Sequence, residues 1–143
     1  MCWKRFMVVL LLASLAACQR TVQPGDPQAE AAARVLAADE ALGTARNRGT
    51  ETDSLTQVIE VYVAGIDALD FSGCPPAFTE AFRAHRDAWA NGLPFFAKFP
   101  ERRGEMHDLF DQIRETHPER LQAIEAEIWG TWDEVEKATP SAE

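Results

Sequence analysis

The spacing of apolar residues constrains the fold of this chain more than any other feature. In two segments the apolar side chains recur every three or four residues, which places them on one face of a helix. The first segment contains Leu55, Ile59, Tyr62, Ile66 and Leu69, and the second contains Phe78, Phe82, His85, Trp89 and Leu93. Strand-like alternation of apolar and polar residues offers little competition to this pattern. The sequence therefore predicts an all-α protein.

Capping residues predict where the first two helices begin and end. The Asp26-Pro27 pair sets a capping side chain before a proline, which is typical of a helix start. This helix is predicted to run to Arg48 and to be closed by Gly49. Thr50 and Asp53 approximate a capping box, from which the second helix is predicted to begin.

Prolines predict the remaining boundaries. Pro94 is predicted to end the third helix, and Pro100 is predicted to lie in the first turn of the fourth. Thr116 and Glu119 bracket Pro118 and predict a capping box that opens the fifth helix. The apolar faces of the last two helices are Met106, Leu109, Phe110 and Ile113, and then Leu121, Ile124, Ile128, Trp132 and Val135.

Length and composition predict one domain. The chain has 143 residues, of which 46% are hydrophobic and 26% charged, as in folded globular proteins. No helix of this length is stable alone in water, so four to five helices joined by short loops predict one antiparallel bundle over residues 26–138. Phe95, Phe96 and Phe99 are predicted to plug one end of this bundle, with an exposed apolar patch as the alternative. Residues 139–143 are predicted to be a frayed tail.

The first 17 residues are typical of a secretory signal. Lys4 and Arg5 precede an uncharged run that is shorter than the roughly 20 apolar residues a membrane-spanning helix needs. The run ends in Leu15-Ala16-Ala17-Cys18, which resembles the lipobox of bacterial lipoproteins. This resemblance implies cleavage before Cys18 and attachment of diacylglycerol to its thiol. An ordinary secretory signal that ends beside a cysteine is the alternative.

The same resemblance implies a location. Gln19 follows the cysteine, at the position where an aspartate would favour retention in the inner membrane. The expected location is therefore the outer membrane, facing the periplasm. Residues 18–25 lack periodicity and are predicted to form a tether between the lipid anchor and the bundle.

The charge of the chain excludes one class of partner. Asp and Glu outnumber Lys and Arg by 23 to 14, and the net charge is −9. An acidic chain without a basic stripe is repelled by phosphate backbones, so we predict no nucleic-acid binding. The expected partners are the membrane, through the lipid anchor, and a protein of the cell envelope. The identity of any small-molecule ligand is open.

Common catalytic and cofactor motifs are lacking in the sequence. It contains no G-x-S-x-G nucleophile elbow, no Walker phosphate loop, no G-x-G-x-x-G and no H-E-x-x-H. We therefore predict no cofactor, no metal site and no catalytic residues. The predicted function is a non-enzymatic binding or interaction module of the cell envelope.

Three residues are candidates for a ligand pocket. Cys74 precedes the third helix, where the helix dipole would favour a reactive thiolate. His85 shares the apolar stripe with Trp89, where an imidazole needs a partner. The alternatives are a small buried residue in a turn for Cys74 and a core histidine, bonded to a carboxylate or carbonyl, for His85. A small-molecule or metal-binding sensor with a pocket around these residues is the alternative function.

The segment from Cys74 to Trp89 is also similar to segments of small, uncharacterised bacterial lipoproteins and exported helical proteins. The similarity implies a helical exported domain. It assigns no catalytic residue.

Overall fold

The structure, a computed structural model, describes residues 25–141. The predicted signal and lipobox, nearly all of the tether and the last two residues of the tail lie outside this range. The described residues form five α-helices and no strand, so the predicted all-α bundle is confirmed. The helices are α1 (Pro27–Gly49), α2 (Leu55–Asp67), α3 (Pro76–Phe96), α4 (Met106–Thr116) and α5 (Pro118–Ala138).

Helix α3 lies at the centre of the bundle and packs against both α2 and α5. Its predicted apolar stripe is buried, with Phe78 and Phe82 fully inaccessible to solvent and Trp89 4% exposed. Helix α1 packs against α2 and α4, and α4 packs against α5. None of the helices within residues 25–141 combines the length and the apolar character needed to cross a membrane.

The start of α1 agrees with the sequence, whereas the start of α2 does not. Asp26 caps α1 by accepting a hydrogen bond from the Gln28 N–H at 2.9 Å. The capping box of α2 is formed by Ser54 and Gln57, which exchange two hydrogen bonds. The prediction that used Thr50 and Asp53 is wrong. Thr50 is the C-cap residue of α1. It is buried, its backbone is helical, and its hydroxyl donates to the Asn47 carbonyl.

Pro94 does not end α3, which continues to Phe96. The proline removes one N–H donor, but the next turn is closed by the Ala97 N–H, which donates to the Leu93 carbonyl at 3.0 Å. Burial of Phe95 and Phe96 favours this continuation, because it places both rings inside the bundle. Phe96 stacks on Phe110 with the ring centroids 5.4 Å apart. The prediction that this aromatic segment plugs the bundle is therefore confirmed.

Helix α4 begins at Met106 and not near Pro100. Glu105 caps it by accepting from the His107 N–H at 2.8 Å. The preceding turn is held against the end of α1, because the Gly104 N–H donates to the Thr50 carbonyl at 3.0 Å. Because this hydrogen bond holds Gly104 outside the helix, α4 begins six residues after Pro100.

Helix α5 begins at Pro118 as predicted, but without the predicted capping box. The cap position is occupied by His117, which makes no capping hydrogen bond through its side chain. The Thr116 hydroxyl donates instead to the Ile113 carbonyl of α4. Thr116 is the last residue of α4, and its hydroxyl is bonded within that helix. Its side chain is therefore not available to cap α5.

Two glycines provide a test of how closely α1 and α2 pack. A methyl group on Gly65 would lie 2.7 Å from Cδ2 of Leu42, whereas one on Gly130 of α5 would meet no atom within 4 Å. We expect Gly130→Ala to raise the free energy of unfolding by about 0.5–1 kcal/mol through helix propensity alone. In Gly65→Ala the methyl group must displace the end of the partly buried Leu42 side chain, which offsets part of that gain, so this variant is expected to be less stabilised than Gly130→Ala. Denaturant unfolding measures both, and equal stabilisation would contradict close packing at this crossing.

Candidate functional site

His85 lies in the core, 3% exposed, with hydrogen bonds at both ring nitrogens. The indole N–H of Trp89 donates to Nε2 at 3.2 Å, so Nε2 carries no proton. Nδ1 therefore carries the proton and donates to the Ile128 carbonyl of α5 at 3.2 Å, with the Thr131 hydroxyl 3.1 Å away. This is the arrangement of a core histidine bonded to a carbonyl.

The same surroundings keep the imidazole neutral. The pKa of His85 is lowered to about 4, mainly by burial; the hydrogen bond to the Ile128 carbonyl raises it, and the nearby Arg46 cation makes a smaller contribution that lowers it. A proton on Nε2 would also break the bond from Trp89. The hydrogen bond from His85 to α5 and the one it accepts from Trp89 thus both require the neutral imidazole with its proton on Nδ1.

Cys74 does not belong to this cluster. It lies just before α3, partly buried, whereas His85 is nine residues along that helix from Pro76, a rise of about 14 Å. Burial raises the pKa of its thiol and Asp70 raises it further, while Arg34 lowers it, so the surroundings favour the neutral thiol. The structure therefore brings His85 and Trp89 together and leaves Cys74 apart. Within residues 25–141, no three His, Cys, Asp or Glu side chains are grouped closely enough to hold a metal ion.

A second polar cluster lies on the other side of Trp89 and was missed by the sequence analysis. The guanidinium of Arg46 lies 4.4 Å from the Tyr62 ring centroid and 4.2 Å from that of Trp89. Its Nε and Nη2 both donate to Oδ1 of Asn47, at 3.1 and 3.0 Å. The Tyr62 hydroxyl donates to the buried carboxylate of Asp39 at 2.9 Å.

The charges of this second cluster are strongly affected by burial. Burial lowers the pKa of Arg46 and raises the pKa values of Asp39 and Tyr62. The hydrogen bond from Tyr62 and the charge of Arg46 act in the opposite direction on Asp39. Arg46 and Asp39 thus stabilise each other's charged forms across the Tyr62 ring. In the described part of the chain, neither belongs to an ion pair with nitrogen and oxygen within 4.0 Å.

Arg46 forms part of the wall of a cleft between α1 and α2, which we call the α1–α2 cleft. Its volume is about 580 Å³. Apolar groups dominate the wall, and Val61 within it is 71% exposed. The full lining is Leu42, Ala45, Arg46, Gly49, Asp53, Gln57, Val58, Glu60, Val61, Tyr62 and Ala64.

A second cleft, of about 90 Å³, is also lined by Arg46, together with Trp89 and residues of α4 and α5. Neither His85 nor Cys74 lines either of these two clefts. Arg46 therefore lies where both clefts meet the polar cluster. Of the three predicted pocket residues, Trp89 alone lines one of them.

No family model matches the chain, and comparisons with curated proteins and with solved structures find no significant match.

The buried imidazole predicts a specific dependence of stability on pH. The pKa of His85 is about 4 in the folded state and near 6.5 when the chain unfolds, so the unfolded state binds the proton first as the pH falls. This contribution to stability is complete above about pH 6.5 and is lost as the pH falls to about 4, for a total of about 3 kcal/mol.

His85→Gln removes the titration but keeps a polar side chain. The free energy of unfolding, measured by denaturant between pH 7.5 and 4, is expected to fall more steeply in the unmodified chain than in this variant. Parallel curves would contradict a buried neutral histidine.

Proposed function

We propose that this chain is a lipid-anchored binding module of the bacterial cell envelope, without enzymatic activity, that faces the periplasm from the outer membrane. The observation that carries the binding role is the α1–α2 cleft, an apolar cleft with one guanidinium held at its wall. The lipobox-like Leu15-Ala16-Ala17-Cys18 supports the anchor.

The dimensions and construction of the cleft support small-molecule binding. Its volume of about 580 Å³ lies in the range of ligand pockets, which are mostly apolar with a few placed polar groups. Except for Asp53 in the turn between them, its lining residues belong to α1 and α2, so most of its shape exists before a ligand arrives. Arg46 is held between two rings and supplies the polar group.

The acidic surface supports attachment through acyl chains. A chain with a net charge of −9 gains nothing from lying flat on anionic lipid, so its contact with the membrane would come through the lipid on Cys18. The segment 18–25 would then set the distance between the membrane and the bundle.

The anchor is tested by fatty-acid labelling in a bacterium that processes lipoproteins. We expect the chain to incorporate a labelled fatty acid and to sediment with membranes, because Cys18 supplies the thiol. Cys18→Ser should lose the label, while Cys74→Ser, the matched control, should keep it. Label retained in Cys18→Ser, or lacking in the unmodified chain, would contradict the anchor.

The variant Gln19→Asp tests the location in the same cells. It should move the chain from the outer to the inner membrane fraction if the lipoprotein sorting rule applies. An unchanged distribution would contradict the proposed location without affecting the anchor.

Binding is tested by native mass spectrometry of the chain purified from membranes. We expect one small molecule per chain, in addition to the lipid. We expect Ala64→Leu to reduce the fraction of chains that carry it, because the exposed Ala64 lines the cleft and a larger side chain there takes up part of its volume. Gly130→Ala, at a position on α5 that does not line the cleft, should keep it. An adduct lost in His85→Ala but kept in Ala64→Leu would favour the alternative sensor with a pocket around His85, Trp89 and Cys74. A bare chain in every sample would contradict small-molecule binding.

A further inference from the structure

We propose that Arg46 is an anion-binding residue and that the α1–α2 cleft takes a small monocarboxylate with an apolar body. This inference rests on the proposed binding role, for which it names the ligand class. It does not depend on the lipid anchor.

The first argument is the hydrogen bonding of Arg46. A guanidinium has five N–H donors. Nε and Nη2 each use one donor on Asn47, and the nearby Tyr62 hydroxyl also favours the charged guanidinium. Within residues 25–141, Nη1 makes no hydrogen bond to a carboxylate. The two aromatic rings fix the position of the group, so little side-chain freedom remains to be lost when an anion binds.

The second argument is charge balance. Tyr62 and then Asp39 are the groups that favour the charged form of Arg46. Asp39 acts from beyond the Tyr62 ring, because its Oδ1 accepts from the Tyr62 hydroxyl. The described residues thus leave this partly buried cation without a carboxylate in direct contact. A buried charge is costly unless it is paired, and a carboxylate can pair with a guanidinium through two parallel hydrogen bonds. A carboxylate from a ligand would complete the pairing.

The third argument is the character of the cleft wall, which selects the rest of the ligand. Leu42, Val58, Val61 and Ala64 present apolar surface, and the high exposure of Val61 leaves much of it open to water. Covering this surface with an alkyl or aryl group is favourable. Asp53 and Glu60 also line the cleft, and they would repel a second negative charge. The cleft therefore favours a monocarboxylate over a dicarboxylate.

The test uses the full chain in lipid nanodiscs, with empty nanodiscs as the blank for partitioning of the probe. Octanoate is titrated by calorimetry against the unmodified chain, Arg46→Met and Arg48→Met. Arg48 lies on the same helix, but its side chain is 76% exposed, which makes it the matched control. We expect Arg46→Met to weaken octanoate binding by about tenfold or more, through loss of a charge-assisted pair, and Arg48→Met to leave it unchanged.

Two further probes separate the carboxylate from the apolar body. Octanol should bind the unmodified chain and Arg46→Met equally, because it carries no charge for Arg46 to pair with. Suberate, with a carboxylate at each end, should bind more weakly than octanoate. Octanoate binding that survives Arg46→Met, or suberate binding as tight as that of octanoate, would overturn the proposal.

Ala64→Leu keeps the test decisive if Arg46→Met does not fold. Ala64 is exposed on α2, so a leucine there narrows the cleft and is expected to weaken octanoate binding without entering the core. Circular dichroism checks the fold. Octanoate binding to this variant at the unmodified affinity would overturn the proposal.

The proposed binding role does not depend on the ligand class inferred here. If octanoate fails to bind while native mass spectrometry still finds an adduct that Ala64→Leu weakens, the ligand class is wrong and the binding role stands. If neither is found, both fail.

Discussion

Trp89 connects four of the five helices, and the arrangement of both polar clusters depends on it. From α3, its indole N–H donates to His85, which in turn bonds the Ile128 carbonyl of α5. Its ring lies under the guanidinium of Arg46 from α1 and meets the Tyr62 ring of α2 edge-on, with the centroids 5.5 Å apart. The position of the cleft cation is therefore set by core packing, so a change in the core at this point would also move the guanidinium.

The helices could be predicted from the sequence because their apolar stripes decide what is buried. The stripes of α2 and α3 follow the three-to-four spacing, and their central members are buried as that spacing requires. The boundaries were less predictable because they depend on which local partner a polar group finds. Thr50 has the chemistry of an N-cap, but it ends α1 with its hydroxyl on Asn47, and Ser54 caps α2 instead. The start of α4 depends on the hydrogen bond between Gly104 and Thr50, which no local pattern contains.

The candidate site could be predicted only in part, for a related reason. His85 and Trp89 are four residues apart on one helix, so their contact follows from helical geometry. Arg46 and Asp39 lie on the alanine-rich α1, where charged residues are usually solvated. Their separation of seven residues places them on one face, and the buried hydroxyl of Tyr62 needs a partner, yet neither signal identifies the facing helix. The sequence therefore could not show that these charges point inward.

An acidic chain can still hold an anion if the cation is placed where exposed charges have little effect. At physiological ionic strength, interactions between exposed charges are screened over about 8 Å, so most of the acidic surface acts weakly on a bound carboxylate. Inside the cleft the effective dielectric constant is lower, and a fixed guanidinium interacts more strongly there than it would on the surface. Asp53 and Glu60 are the acidic residues in the lining, and they oppose a second negative charge on a ligand more than a single charge held at Arg46. The two acidic residues of the lining thus limit how many negative charges a ligand can carry, and the position of Arg46 favours a ligand with one.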